Sequence, residues 1–202
     1  MFTVAKGFII GAGMIIPIGA QNSYVLSQAI KKNFHFTAAT ICILCDFLLM
    51  SLGVFGGGAL VNSNEYLYYG ITWGGILFLS VYGALFFRDF IRSATGKMTD
   101  LAKPSTRRLV IFTTLAVTLL NPHVYLDTVV IIGSISSQYS DDQKLLFLLG
   151  TALASLTWFY ALSSAAAKMS PWLSKPNVQR GINLFVALIM WSIAISLLVQ
   201  VI

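Results

Sequence analysis

Residues 14–23 read M-I-I-P-I-G-A-Q-N-S, and residues 119–128 read L-L-N-P-H-V-Y-L-D-T. Each stretch sets a proline inside a long apolar run and follows it with polar side chains. Pro17 leads through Gly19 to Gln21 and Asn22; Pro122, itself preceded by Asn121, leads to His123, Tyr125 and Asp127. The prolines stand 105 residues apart, about half of the 202-residue chain. A proline lacks an N–H and its ring displaces the carbonyl four residues back. Within helical spans, Pro17 and Pro122 would therefore free the oxygens of Gly13 and Thr118 at membrane depth, where backbone groups need a partner. A substrate or an ion can be that partner.

Working outward, the chain is 57% hydrophobic and only 10% charged, a balance that belongs in a bilayer. A spanning helix needs about 20 mainly apolar residues. Six stretches qualify: Gly7–Ala29, Ala38–Val61, Tyr66–Phe87, Leu109–Ser136, Leu145–Ala167 and Gly181–Ile202. The expected fold is an all-α integral membrane protein with six transmembrane helices, the first and fourth broken at Pro17 and Pro122. The length suits a single transporter domain over residues 1–202: one repeat over residues 1–100, a connection at 88–108 and a second repeat over residues 105–202. Three spans per repeat force the copies into opposite orientations, a 3+3 inverted repeat. In such transporters the binding site lies near the midplane, where the broken helices meet.

The net charge of +6 comes from thirteen Lys and Arg that sit mostly in short tracts between apolar runs. They read as topology signals and not as a nucleic-acid footprint. With six spans, Lys31, Lys32, Arg88, Arg92, Lys97, Lys103, Arg107, Arg108, Lys168, Lys175 and Arg180 share one side, against Lys6 and Lys144 on the other. The positive-inside rule makes the first side cytoplasmic, with loops 1–2, 3–4 and 5–6, and puts both termini outside. A re-entrant fourth run would move one terminus. Tyr66, Tyr68, Tyr69, Tyr139 and Trp172 at run edges suit the interfacial aromatic belt. The first run is too long for a signal-peptide core and is kept as a mature helix. Gly7-xxx-Gly11 and Gly53-xxx-Gly57 permit close helix approach. Cys42 and Cys45 lie inside an apolar run without a second Cys/His pair, so they read as core thiols, and no metal or other cofactor is expected.

Asp46 and Asp127 are the only acidic side chains inside the six runs. A carboxylate at a helix centre costs roughly 2.5–3.5 kcal/mol on insertion scales, so each should face the bundle interior with a partner. His123, four residues before Asp127, can orient it or carry protons. Some helix other than its own must supply a hydrogen bond to Asp46. Gln21, Asn22 and Asn121 present donor and acceptor together, which suits a ligand bearing both an α-carboxylate and an α-ammonium. The competing reading of all these polar groups is interhelical hydrogen bonding with a purely structural role.

The two quoted segments resemble the signature segments of the LysE superfamily, in particular its lysine and arginine exporter branch, and within it the arginine exporters. The likeness continues through Phe55–Leu60, Thr72–Gly75 and Asn183–Trp191, and so covers essentially the whole chain. It implies a bacterial inner-membrane exporter of basic amino acids. The continuation His123-x-Tyr125-Leu126-Asp127 is one that the neutral amino-acid branches generally lack. Ala20 stands where many relatives carry Pro.

Export of a cation against an inside-negative potential costs about 2.3 kcal/mol per charge per 100 mV. Gly96-Lys97 lacks the upstream glycine of a phosphate loop and is followed by Met98, so ATP is not the expected source. The reading is secondary export of arginine or lysine in exchange for protons, with Asp46 and Asp127 alternately holding proton and cation. The partners expected are the basic amino acid, protons and membrane lipids; the oligomeric state is not fixed by the sequence, and a homo-oligomer is compatible with it. Alternative cargoes within the superfamily are a neutral amino acid or a divalent metal. An intramembrane enzyme built on Asp46, Asp127 and His123 is the remaining class, but G-x-S-x-G and H-E-x-x-H are both absent, so no enzyme is expected.

Overall fold

The structure is a computed structural model that describes residues 2–17, 19–55, 65–94, 106–121, 124, 126–173 and 175–201, with Asp127 described in its backbone alone. In chain order the helices are α1 (Phe2–Ile15), α2 (Ala20–Ile30), α3 (His35–Val54), α4 (Glu65–Ala94) and α5 (Arg107–Leu119). A π-helical segment, Leu126–Ile131, then runs into α6 (Ile132–Ser136). Helices α7 (Asp141–Lys168), α8 (Ser170–Leu173) and α9 (Pro176–Val201) complete the chain. Among the described residues there is no strand.

Among the described residues four helical stretches are long and apolar enough to cross a bilayer: His35–Val54, Thr72–Arg92, Asp141–Lys168 and Pro176–Val199. The bent pair α1 and α2, inclined by 80°, makes a fifth if it counts as one span. The fourth stretch expected from sequence, Leu109–Ser136, is not one continuous α-helix. Its first piece, α5, has 13 residues, which rise about 20 Å against the roughly 30 Å of a hydrocarbon core. Large apolar side chains such as Leu48, Phe112, Ile195 and Val199 lie 61–73% exposed around the bundle. Such a surface is stable against lipid tails and would be a liability in water. The protein is thus an all-helical, multi-pass membrane protein.

Local signals explain several helix ends. Thr106 caps α5 by accepting from the Leu109 backbone N–H at 3.3 Å. Asp141 and Asp142 open α7 and Lys168 closes it, which complements the helix dipole at both ends. The turn from α2 to α3 uses two left-handed residues, Lys32 and Phe34, with φ of 50° and 47°. Asn33 steadies it by donating from Nδ2 to Gln28 Oε1 at 3.1 Å.

Glycines set the closest helix crossings. A Cβ at Gly7 would strike the Phe147 carbonyl, and one at Gly150 would strike the Val4 carbonyl, so α1 and α7 touch backbone to backbone. Gly11 meets Thr151 on the same seam, as the small-residue spacing of Gly7 and Gly11 suggested. Gly57, the partner of Gly53 in the second such pair, lies outside the described residues. Helix α7 also packs along α2 and α3, and α4 packs along α9. The main core gathers Tyr24, Cys42, Leu79, Val117, Phe159, Met190 and Leu197 between these helices. Cross-links between α3 and α7 run the length of their seam: His35 Nδ1 meets Ser163 Oγ at 2.7 Å, and Thr40 Oγ1 meets the Tyr160 hydroxyl at 3.0 Å. The frame that positions the site is therefore the rigid α3–α7 pair.

Candidate functional site

Between the α1–α2 bend and the end of α5 lies a cavity of about 260 Å³. Its polar wall is built from Gln21, Asn22, Asp46, Asn121 and Thr128, and its apolar wall includes Met14, Ile15 and Ile193. Four side chains singled out from sequence, on three separate elements, are thereby brought together. Pro17 and Gly19, between α1 and α2, also line it.

Asp46 is 3% exposed and is held by neutral donors from two other helices. Ser155 Oγ on α7 donates to Oδ2 at 2.7 Å, and Gln21 Nε2 on α2 approaches Oδ1 at 3.4 Å. Among the described residues no lysine or arginine pairs with it. A buried carboxylate with only neutral partners keeps an uncompensated negative charge, which strongly favours a cation or a proton beside it.

Asn22 ties down the bend. Helix α1 ends at Ile15 and α2 begins at Ala20, so the carbonyls of Ile15 and Pro17 lie at the break. Asn22 Nδ2 donates to them at 2.7 and 2.8 Å. Its Oδ1 accepts from Trp158 Nε1 on α7 at 3.0 Å. The first turn of α2, which starts at Gly19 without a side-chain cap, also faces the cavity. A helix N-terminus there adds partial positive charge on backbone N–H groups opposite the carboxylate.

Asn121, 6% exposed, lies just past the end of α5 on the facing wall. Asp127 sits in the π-helical segment by its backbone. Pro122, His123 and Tyr125 lie outside the described residues. No group of three or more His, Cys, Asp or Glu side chains capable of holding a metal occurs among the described residues. Cys42 and Cys45 are free, buried thiols.

Three wall or support residues were not picked out by sequence reasoning: Thr128, Ser155 and Trp158. Ser155 and Trp158 are one turn apart on α7 and reach Asp46 and Asn22 respectively. The signal available was that spacing inside an apolar run, but it looks like any other small polar pair in a membrane helix until α7 is seen against α2 and α3.

The LysE type translocator family matches residues 12–201 of the chain. The protein is 46% identical over 193 residues to the Arginine exporter protein ArgO of Pectobacterium atrosepticum, covering 95% of this chain and 94% of that one. It is 45% identical over 195 residues to the Putative amino-acid transporter YggA of Aeromonas salmonicida, covering 96% and 95%. It is 44% identical over 192 residues to the Arginine exporter protein ArgO of Yersinia enterocolitica, covering 95% and 94%. No solved structure matches the chain. With a buried carboxylate facing a cavity at a bent helix pair, and with family and relatives matched over nearly its whole length, the chain belongs to the LysE type translocator family.

Proposed function

We propose that the protein is a secondary exporter of basic amino acids, arginine or lysine, across the bacterial inner membrane, and that it is driven by exchange for protons. The observation that carries this is Asp46, a cavity-wall carboxylate 3% exposed with only neutral partners. Relatives named arginine exporters, at 44–46% identity over nearly the full length, favour the same cargo. A cationic side chain supplies the charge that Asp46 lacks, while the amides of Gln21, Asn22 and Asn121 and the first turn of α2 suit the amino-acid end.

In this mechanism Asp46 and Asp127 hold the cation or a proton in turn. His123 and Tyr125 belong to the same segment as Asp127. One proton entering for each cation leaving is electroneutral, which removes the cost of about 2.3 kcal/mol per 100 mV. The π-helical winding of Leu126–Ile131 supports a functional role there, since such wide turns recur at functional sites.

The pattern of helix packing favours the inverted repeat. Pairing α1 with α5, α2 with the π segment and α6, α3 with α7, and α4 with α9 maps part of the packing onto itself. Helix α1 packs on α7, and its counterpart α5 on α3; α2 packs on α7, and the π segment with α6 on α3. Under this pairing Pro17 and Pro122 are the equivalent helix breaks, and Asn22 corresponds to Asp127. Two basic residues meet the same end of α4: the Arg180 guanidinium stacks on Phe90 at 4.8 Å, and Lys31 is near enough to Asp89 to feel its charge. We assign that end to the cytoplasm and its anionic lipids. The C-terminus is then outside; with α1 and α2 as one broken span, so is the N-terminus.

The test is Asp46→Asn. The variant should insert and fold but lose export of arginine and lysine from preloaded vesicles. Undiminished export by this isostere would remove Asp46 from the mechanism.

A further inference from the structure

On the side of the cavity facing the basic end lies a second group of polar side chains that the site does not use. Cys42 stands one turn before Asp46 on α3, and its thiol lies beside Gln21 and Thr118. Thr118 and Thr114 are successive turns of α5, and the Tyr24 hydroxyl, one turn after Gln21 on α2, lies beside Thr114 and Thr113. Tyr82 on α4 closes the group. Its ring meets Tyr24 edge-on at 6.1 Å and stacks on Phe78 at 5.1 Å, with its hydroxyl beside Thr113.

Most of these groups are sealed: Cys42 and Thr118 are 0% exposed, Thr114 1% and Tyr24 2%, while Tyr82 is partly buried. Among the described residues the Thr118 hydroxyl makes no well-formed hydrogen bond, its polar neighbour being the weakly bonding Cys42 thiol. Burying an unpaired hydroxyl is costly, and an apolar side chain of the same shape would hold the helices together at least as well. A seam selected only for packing has no use for it. All four helices also run from this group toward the same end: α2 to Lys31, α4 to Arg88, and α3 and α5 backwards to His35 and Arg107. At the α1–α2 bend the cavity is lined by exposed Pro17, next in sequence to Ile16, 45% exposed.

We propose that Tyr24, Tyr82, Thr113, Thr114 and Thr118 line the cytoplasmic half of the transport pathway, closed in this conformation by the Tyr24–Tyr82 contact. This rests on the transport reading above. Alternating access requires a half-pathway that is packed in one state and wet in the other. The Thr118 hydroxyl, unsatisfied when packed, gains water when the half opens, which offsets part of the loss of the tyrosine contact.

Cys42 is a built-in reporter. In a Cys45→Ala background it is the sole thiol, and a membrane-impermeant quaternary-ammonium methanethiosulfonate can be applied to either face of oriented vesicles. A Lys31→Cys protein lacking the native cysteines reports which face carries the basic turn. Cys42 should label from the face that labels Lys31→Cys and not from the opposite one. Tyr82→Ala should speed that labelling roughly two- to tenfold, the shift expected from losing one aromatic contact in a two-state equilibrium. Thr118→Val should slow export, whereas a packing role predicts a neutral or stabilising effect. Labelling of Cys42 from the opposite face, or none from either face even with Tyr82→Ala, overturns the proposal. Labelling reports access and not cargo, so labelling from the basic face with no arginine efflux would sink the cargo reading alone.

Discussion

Replacing Asn22 by alanine removes three hydrogen bonds at once: to the carbonyls of Ile15 and Pro17, at 2.7 and 2.8 Å, and from Trp158 Nε1 at 3.0 Å. Side-chain hydrogen bonds between membrane helices average about 0.6 kcal/mol and reach about 1.7. Here the stranded partners are two carbonyls at a helix bend and an indole N–H, beside a residue only 6% exposed. Unsatisfied buried groups cost about 1–3 kcal/mol each. The expected loss is therefore about 2–5 kcal/mol, against about 1 kcal/mol for Trp158→Phe, which removes one bond and strands one acceptor. Thermal unfolding in detergent, followed by reaction of the buried thiols Cys42 and Cys45 with a fluorogenic maleimide, reads both. The double variant should be less destabilised than the sum of the singles, because both singles delete the Asn22–Trp158 bond. Equal melting of Asn22→Ala and the parent, or strict additivity, would refute the claim that Asn22 ties the bend to α7.

Ser155→Ala removes the 2.7 Å bond to Asp46 and leaves only the 3.4 Å approach of Gln21; arginine export should fall severalfold while Ser155→Thr, which keeps a hydroxyl, restores part of it. Gly150→Val places a side chain against the Val4 carbonyl and should cost about 3 kcal/mol or more, preventing stable insertion, as measured by protease resistance of membranes. Gly181→Ala meets nothing within 4 Å on an exposed helical turn and should stabilise by about 0.5–1 kcal/mol in the same unfolding assay. Thr106→Ala deletes the α5 cap and should cost about 1 kcal/mol with export unchanged in vesicle assays.

Composition and apolar run length sufficed to read a multi-pass helical membrane protein, because lipid admits only helices or closed barrels and continuous apolar runs of about 20 residues suit helices. The polar residues also announced themselves: Gln21, Asn22, Asp46 and Asn121 are conspicuous in apolar surroundings, and they meet at one cavity. The number of continuous spans was less legible. Hydropathy alone is blind to the interruption after Leu119, since Leu109–Ser136 remains apolar across it, and only Pro122 signalled a break there. The frame of the site was also hidden. Whether Ser155 binds Asp46 or merely its own helix depends on how α7 rotates against α3, and that is set by distant contacts such as Gly150 against Val4. Likewise, the sequence placed Cys42 in a core, but only the meeting of α2, α3, α4 and α5 surrounds it with hydroxyls.

The most direct measurement is efflux of preloaded radiolabelled arginine, lysine and leucine from proteoliposomes, with and without an imposed pH gradient, acid on the side receiving the amino acid. The account predicts that the gradient accelerates arginine or lysine efflux, leaves leucine unmoved, and has no effect on Asp46→Asn. Gradient-driven efflux of leucine, or basic amino-acid efflux indifferent to both the gradient and Asp46, would contradict it.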